Sequence, residues 1–197
     1  MAKNLIIIMT LALLHSGAAV SFGNNSETDS YCFPDAYVKR IEKEVTSHFG
    51  KKEGVPVIEY IGNMISGGGS GDRFAVIKIN GEKKGFIYSG RVFTCSASGC
   101  STGKGENGIQ RSEYFDYMII FGESVSVEKI NILSYQATHG MEITSRGWLK
   151  QFTGYNGDKK IESGRNIDAI SGATRSVESI ISDISRVTDL LKGIESL

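Results

Sequence analysis

The strongest constraint on the fold lies in the last third of the chain, where a run of small residues leads directly into an amphipathic helix. From Thr174 onward, apolar residues recur at helical spacing, which is typical of a helix with one buried face. They are Val177, Ile180, Ile181, Ile184, Val187, Leu190, Leu191 and Ile194. A helix start attracts anions through its unpaired N–H groups and its dipole, and the small residues Gly172 and Ala173 leave room for one. The sequence therefore predicts a phosphate group beside, or bonded to, Thr174.

Helix capping is the simpler interpretation of the same residues. Either Ser171 or Thr174 could be the N-cap, because a hydroxyl oxygen accepts a hydrogen bond from an early helical N–H. A capping box would place Glu or Gln three residues after the cap, whereas Thr174 and Val177 occupy those positions. Capping also leaves the small pair Gly172-Ala173 unexplained, so we favour phosphate binding.

The run from residue 168 to residue 176 resembles the attachment motif of the covalent FMN-binding domain family. That family includes the G subunit of Rnf-type electron-transport complexes and the C subunit of the sodium-pumping NADH:quinone reductase. In the family, a separate flavin transferase joins FMN through a phosphoester to the last threonine of an Asp-x-x-Ser/Thr-Gly-Ala-Thr motif. The matching positions here are Asp168, Ser171, Gly172, Ala173 and Thr174. The resemblance implies that Thr174 carries covalent FMN and that the other four residues contribute to the cofactor site.

A second segment is similar to the family's Glu-Thr-Pro-Gly-Leu-Gly loop. It comprises Thr138, His139, Gly140 and Met141, and a short predicted helix around 145–152 follows it. Two ordered matches are more specific than one short motif. The chain departs from the pattern where Ala137 replaces the usual glutamate and His139 the usual proline, so contacts of those two positions are not transferred.

The loop and the short helix also supply candidate contacts for a flavin ring. An isoalloxazine ring is a flat apolar plate with polar edges, so it needs large side chains against its face and hydrogen-bonding groups at its rim. The candidate face residues are Met141, Trp148 and Phe152, and the candidate rim groups are Thr138, His139 and the backbone near Gly140. The alternative remains open that Trp148 and Phe152 are core residues and Gly140 is only a turn.

The first residues predict a signal peptide over residues 1–23. Lys3 precedes the apolar run 5–14, and small residues follow at 16–19. Cleavage after Ala19, Ser21 or Gly23 fits equally. The run is short for a membrane span, and no later apolar run is longer, so we expect a periplasmic or secreted protein without a membrane span in the mature chain.

Two cysteines form the second candidate for chemistry. In an oxidising compartment, Cys95 and Cys100 are predicted to form a disulfide across a short glycine-containing loop. The alternative is a redox pair that exchanges electrons with the flavin. Two thiolates without a second pair or a nearby histidine do not complete a tetrahedral site, so no metal site is predicted.

Composition and periodicity predict one α+β domain: a twisted, mainly antiparallel sheet flanked by helices. Lys plus Arg and Asp plus Glu each total 22 in 197 residues, so the net charge of zero gives no indication of a nucleic-acid partner.

We predict an N-terminal extension over 24–54 with a helix over 35–49, and an FMN-binding domain over 55–197. The predicted strands are 55–65, 73–79, 85–94, 114–121 and 125–135, with Asn80-Gly81 as a hairpin turn that residues 82–84 could lengthen.

These observations together predict an exported electron-transfer flavoprotein, more an electron carrier than a stand-alone enzyme. Its partners would be the flavin transferase and redox proteins that no residue identifies. Two alternatives stay open: an exported non-catalytic binding module without flavin, and a flavin-dependent reductase of a small extracellular acceptor. A purified protein without flavin colour would indicate the binding module. Turnover without partner proteins would indicate the reductase.

Overall fold

The computed structural model of the chain describes residues 35–50, 54–61, 71–94 and 113–195. The predicted signal peptide and the predicted disulfide between Cys95 and Cys100 lie outside the described residues, so both stay predictions. In the described part of the chain, no helix is both long and apolar enough to cross a membrane.

Within the residues that the structure describes, five strands form one sheet in which each strand pairs with its neighbours in the chain. The sheet order is β1-β2-β3-β4-β5, and every pairing is antiparallel. The strands are β1 (Pro56–Tyr60), β2 (Arg73–Ile79), β3 (Glu82–Phe93), β4 (Tyr114–Gly122) and β5 (Val127–Tyr135). The predicted antiparallel α+β architecture is therefore confirmed.

The turn between β2 and β3 is the tightest of the sheet. Asn80 and Gly81 have φ angles of 53° and 85°, as the two central residues of a type I′ turn require. Ile79 pairs directly with Glu82, so residues 82–84 do not lengthen the loop but begin β3. The register shifts between Ile77 and Lys78, where β3 carries one extra residue.

Both faces of the sheet are covered, and the alternation along the strands decides which residues face which helix. One face packs against the long C-terminal helix α3 (Thr174–Glu195) and the other against the N-terminal helix α1 (Asp35–Phe49). The face toward α3 carries Phe74, Phe86, Tyr88, Phe115, Tyr117, Ile119 and Phe121. The face toward α1 carries Ala75, Ile77, Ile87, Met118, Ile120 and Leu133.

The apolar face predicted for the C-terminal helix matches the observed packing, and the predicted helix at 35–49 is present. In α3, the fully buried apolar residues are Val177, Ile180, Ile184, Val187 and Leu191. In α1, Ile41 and Val45 are buried, and Arg40 donates hydrogen bonds of 2.9 Å to the carbonyl oxygens of Ile132 and Leu133 on β5. The helix at 35–49 is thus packed on the sheet.

The segment between β5 and α3 is long, covering residues 136–173, and is mostly irregular. It contains 3₁₀ turns at Met141–Thr144 and Lys150–Phe152, with the one-turn helix α2 (Arg146–Leu149) between them. The predicted helix over 145–152 is therefore present as one α turn followed by one 3₁₀ turn. This segment brings the Thr138 loop to the start of α3.

Candidate functional site at the first turn of helix α3

Helix α3 begins at Thr174, as the apolar periodicity predicts. The carbonyl of Ala173 accepts the hydrogen bond of the Val177 N–H at 3.0 Å, and the Ala173 N–H donates to the carbonyl of Ile170 at 3.1 Å. Ala173 is therefore the N-cap, and the interpretation of Ser171 or Thr174 as a capping residue is wrong. Alanine has no side-chain oxygen, so it cannot satisfy the exposed donors of the first turn.

Three backbone donors of the first turn are left without partners. Of the four N–H groups that a helix start leaves unpaired, only that of Ala173 is bonded, while those of residues 174–176 have no acceptor among the described residues. Their partial positive charge adds to the dipole of a 22-residue helix. This end of α3 is suited to an anion with several acceptor oxygens.

The turn that leads into α3 leaves open space beside these donors. Gly172 has φ of 80°, a left-handed conformation that glycine adopts without strain. A Cβ added there would meet no atom within 4 Å. Thr174 is exposed, whereas Ser176 is only 3% exposed. A phosphate can therefore reach the threonine hydroxyl and the free N–H groups of residues 174 and 175 from solvent.

The predicted loop around Gly140 lies directly against this turn. Gly140 has φ of 88°, and a Cβ added there would lie 2.9 Å from the Ser176 Oγ, 2.9 Å from the Tyr135 Oη and 3.1 Å from the Ala173 Cβ. Such separations are too short for real Cβ contacts. Glycine at 140 thus permits the close contact, and the structure brings together the two segments that the sequence singled out separately.

Tyr135 joins the loop to the helix and was not among the predicted site residues. Its hydroxyl donates to the carbonyl of His139 and lies 3.0 Å from the Ser176 Oγ. Its ring stacks on Phe115 with centroids 6.0 Å apart and planes 11° apart. Burial raises the pKa of Tyr135 above its usual value, so the phenol is protonated at neutral pH. The only signal in the sequence is its position at the end of β5, three residues before the Thr138 loop.

The other predicted loop residues differ in what they contact. The Thr138 hydroxyl and N–H both donate to the Glu113 carboxylate, the N–H at 3.1 Å. His139 is exposed, and Met141 is 64% exposed, so its side chain is accessible. Thr138 is thus held by Glu113 at the start of β4, while His139 and Met141 present their side chains to solvent.

Trp148 supports the motif from its core side. The indole N–H donates to the carbonyl of Asp168 at 2.9 Å, and the Asp168 N–H donates to the Gln151 side-chain oxygen at 2.9 Å. Trp148 is 7% exposed and meets the buried Phe152 edge to face at 5.3 Å. In this arrangement the indole positions the backbone of the motif, and little of its face is open to a flavin ring.

Comparison with known families identifies the region that holds these elements. Residues 113–188 match the model of the FMN-binding domain. The chain contains an FMN-binding domain. The match covers the Thr138 loop, the motif at 168–174 and most of α3, and it does not single out either of the two subunits named above. No curated protein matched the chain.

The match to the FMN-binding domain begins at Glu113, whereas the sheet begins earlier in the chain. Strands β1–β3 precede the match and pair continuously with β4. The residues at the first turn of α3 fit the FMN phosphate: free N–H donors, an exposed threonine hydroxyl and open space at Gly172. The match supports FMN as the cofactor of the domain, and the first turn of α3 is a suitable position for its phosphate end.

Proposed function

We propose that FMN is attached covalently through a phosphoester to Thr174, and that the protein serves as an electron carrier outside the cytoplasm. The observation that carries the proposal is the exposed Thr174 hydroxyl on the first residue of α3, beside three unpaired N–H groups. The oxygen of that hydroxyl would bond to the phosphorus of the flavin donor that the transferase binds. The bond from that phosphorus to the donor's leaving group would break, and the hydroxyl proton would pass to the leaving group. The N–H groups would donate to the remaining phosphate oxygens.

The surroundings of the three neighbouring hydroxyls favour Thr174 as the acceptor. Ser176 is buried beneath the Gly140 loop and is hydrogen-bonded to Tyr135. Ser171 is exposed but precedes Gly172, so it lies outside the helical turn that carries the free donors. Only Thr174 combines an exposed oxygen with a position in that turn.

When bound, the flavin supplies the redox chemistry, because it accepts two electrons and releases them singly. The protein's part is to hold the phosphate end at α3 and to keep the Gly140 loop beside it. Covalent attachment has a reason outside the cytoplasm, where FMN lost by dissociation is hard to replace. The proposal therefore includes a flavin transferase that loads the protein and redox partner proteins that exchange electrons with it.

The decisive experiment measures covalent loading in variants of two hydroxyl residues. The chain is co-expressed with a flavin transferase, and the intact mass is measured after denaturation. Thr174→Val keeps the β-branched shape and removes the oxygen, so it should abolish the mass gain of one FMN. Ser171→Ala is the matched control: it removes a hydroxyl that can at most support the loop, so the protein should still gain the mass of one FMN. A loaded Thr174→Val protein would exclude this attachment, and an unloaded parent would favour the flavin-free binding module.

Export is tested on the same material. N-terminal sequencing of protein recovered outside the cytoplasm should begin after the predicted leader, within or just beyond residues 20–24. Recovery of the chain with Met1 still in place, in the membrane or the cytoplasm, would contradict the proposed location.

A further inference from the structure

The hydroxyl groups of Tyr135 and Ser176 form a chain of hydrogen bonds with a fixed direction. A phenol has one proton, and the Tyr135 hydroxyl donates it to the carbonyl of His139. The Ser176 hydroxyl, 3.0 Å from the Tyr135 oxygen, must then be the donor in the second hydrogen bond. The hydrogen bonds therefore run from the Ser176 hydroxyl to the Tyr135 hydroxyl, and from there to the backbone of the Thr138–Gly140 loop. Ser176, where they begin, lies two residues after Thr174.

We propose that Tyr135 is a positioning residue of the flavin attachment site. Its hydroxyl holds the Thr138–Gly140 loop against the first turn of α3 and engages the proton of Ser176, so that Thr174 is the only serine or threonine of that turn left free to react. The inference rests on the proposed attachment at Thr174.

The packing around Tyr135 allows its hydroxyl to be removed by substitution without displacing the ring. The ring is fixed by its stacking on Phe115, so removal of the oxygen leaves the ring in place. Gly140 lies so close to the turn that a Cβ added there would be 2.9 Å from the Tyr135 Oη, 2.9 Å from the Ser176 Oγ and 3.1 Å from the Ala173 Cβ. A loop that loses its hydrogen bond to Tyr135 is therefore free to move relative to the acceptor turn without unfolding of the sheet.

The chain offers a matched control on the same helix. The Tyr155 hydroxyl is 3.1 Å from the Ser185 Oγ, so a second tyrosine–serine pair joins α3 to the segment before it. Ser185 lies 11 residues beyond Thr174, about 16 Å along the helix. Tyr155→Phe thus removes the same kind of hydrogen bond far from the attachment turn.

The experiment compares the two tyrosine variants in two assays. The initial rate of FMN mass gain with a flavin transferase should fall about three- to tenfold in Tyr135→Phe, the range expected for one net hydrogen bond. The rate should be unchanged in Tyr155→Phe. Ser176→Ala leaves the hydrogen bond from Tyr135 to the His139 carbonyl in place, so it should slow loading less than Tyr135→Phe does. The double variant Tyr135→Phe/Ser176→Ala should be no slower than Tyr135→Phe, because that single variant already removes both hydrogen bonds.

Hydrogen exchange of the unloaded protein tests the positioning separately from the attachment chemistry. Amides in 138–144 should exchange faster in Tyr135→Phe than in the parent, while those of β4 should not change. Equal loading rates for Tyr135→Phe and Tyr155→Phe, or unchanged exchange in 138–144, would overturn the assignment while leaving attachment at Thr174 intact. A parent protein that gains no FMN would overturn both the attachment at Thr174 and the positioning role of Tyr135. The loading assay on the parent therefore distinguishes failure of the attachment from failure of the positioning role alone.

Discussion

At the scale of single residues, two glycines with the same backbone conformation should respond differently to substitution. Gly140 and Gly172 have φ of 88° and 80°, so alanine is strained by about 1 kcal/mol at either position. Only at Gly140 does the new Cβ also meet side chains, at 2.9 Å. We expect Gly140→Ala to lower the free energy of unfolding by about 2–4 kcal/mol and Gly172→Ala by about 1 kcal/mol. Urea denaturation followed by circular dichroism measures both; equal losses would show that the loop accommodates the methyl group.

The residues of the site were predictable where the signal is local and not where it depends on distant contacts. Thr174 and Gly172 stand out because helix periodicity, residue size and a known motif coincide within a few positions. Tyr135 meets Ser176 across 41 residues of sequence, and a tyrosine in a strand is an ordinary sheet residue. Trp148 was recognised as a large side chain, but the bond from its indole to the Asp168 carbonyl follows from tertiary packing alone.

At the scale of elements, a partly buried polar cluster joins α3 to the sheet. Asp183 on α3 accepts a hydrogen bond from Tyr117 at 2.7 Å and pairs with Arg186 at 2.6 Å. The Tyr88 hydroxyl lies between two carboxylates, 2.7 Å from Asp72 and 3.0 Å from Asp183. Asp183→Ala removes the acceptor of a fully buried tyrosine and a partner of the arginine, so it should cost about 3–5 kcal/mol of stability. Asp189→Ala, at an exposed position of the same helix, should change stability by less than about 0.5 kcal/mol. Similar losses in the two variants, measured by urea denaturation, would show that the cluster contributes little.

The elements themselves were largely predictable from periodicity and turn residues. Both long helices begin where the sequence predicts, because their apolar spacing is regular and a change in pattern marks each end. Asn80-Gly81 predicted the hairpin, but the start of β3 at Glu82 was not evident, since three charged residues open the strand. The segment 141–152 divides into 3₁₀ and α turns, a local variation that hydrophobic spacing does not resolve.

At the scale of the whole molecule, the sheet is covered on both faces, and the sequence only partly indicates this. Strand β4, which lies between β3 and β5, is buried at every position but its first, and such continuous burial requires a layer on each side. The sequence analysis predicted helices that flank the sheet, but it placed the helix at 35–49 in an N-terminal extension outside the FMN-binding domain. Its packing on Ile77, Ile87 and Met118 depends on pairs more than 30 residues apart, which no single-sequence pattern reports.

This layered burial predicts how stability changes at alkaline pH. Burial and the nearby Asp183 carboxylate raise the pKa values of Tyr88 and Tyr117 in the folded protein above the ordinary value of 10.0. In the unfolded chain these phenols ionise near pH 10, so the unfolded state releases protons that the folded state retains. The stabilisation is complete below about pH 10 and is lost as the pH rises above it.

Urea denaturation at a series of pH values should therefore show a free energy of unfolding that falls steeply above about pH 10. Tyr117→Phe removes one of the protons that are released on unfolding. The free energy of unfolding of this variant should therefore fall less steeply with pH than that of the parent, whatever its value at neutral pH. Tyrosinate absorbance provides the second measurement. The buried phenols should ionise only together with the loss of the circular dichroism signal, because the folded sheet excludes the water that a phenolate needs. Ionisation of all tyrosines near pH 10 with the fold intact would contradict the assigned burial of Tyr88 and Tyr117 between the sheet and α3.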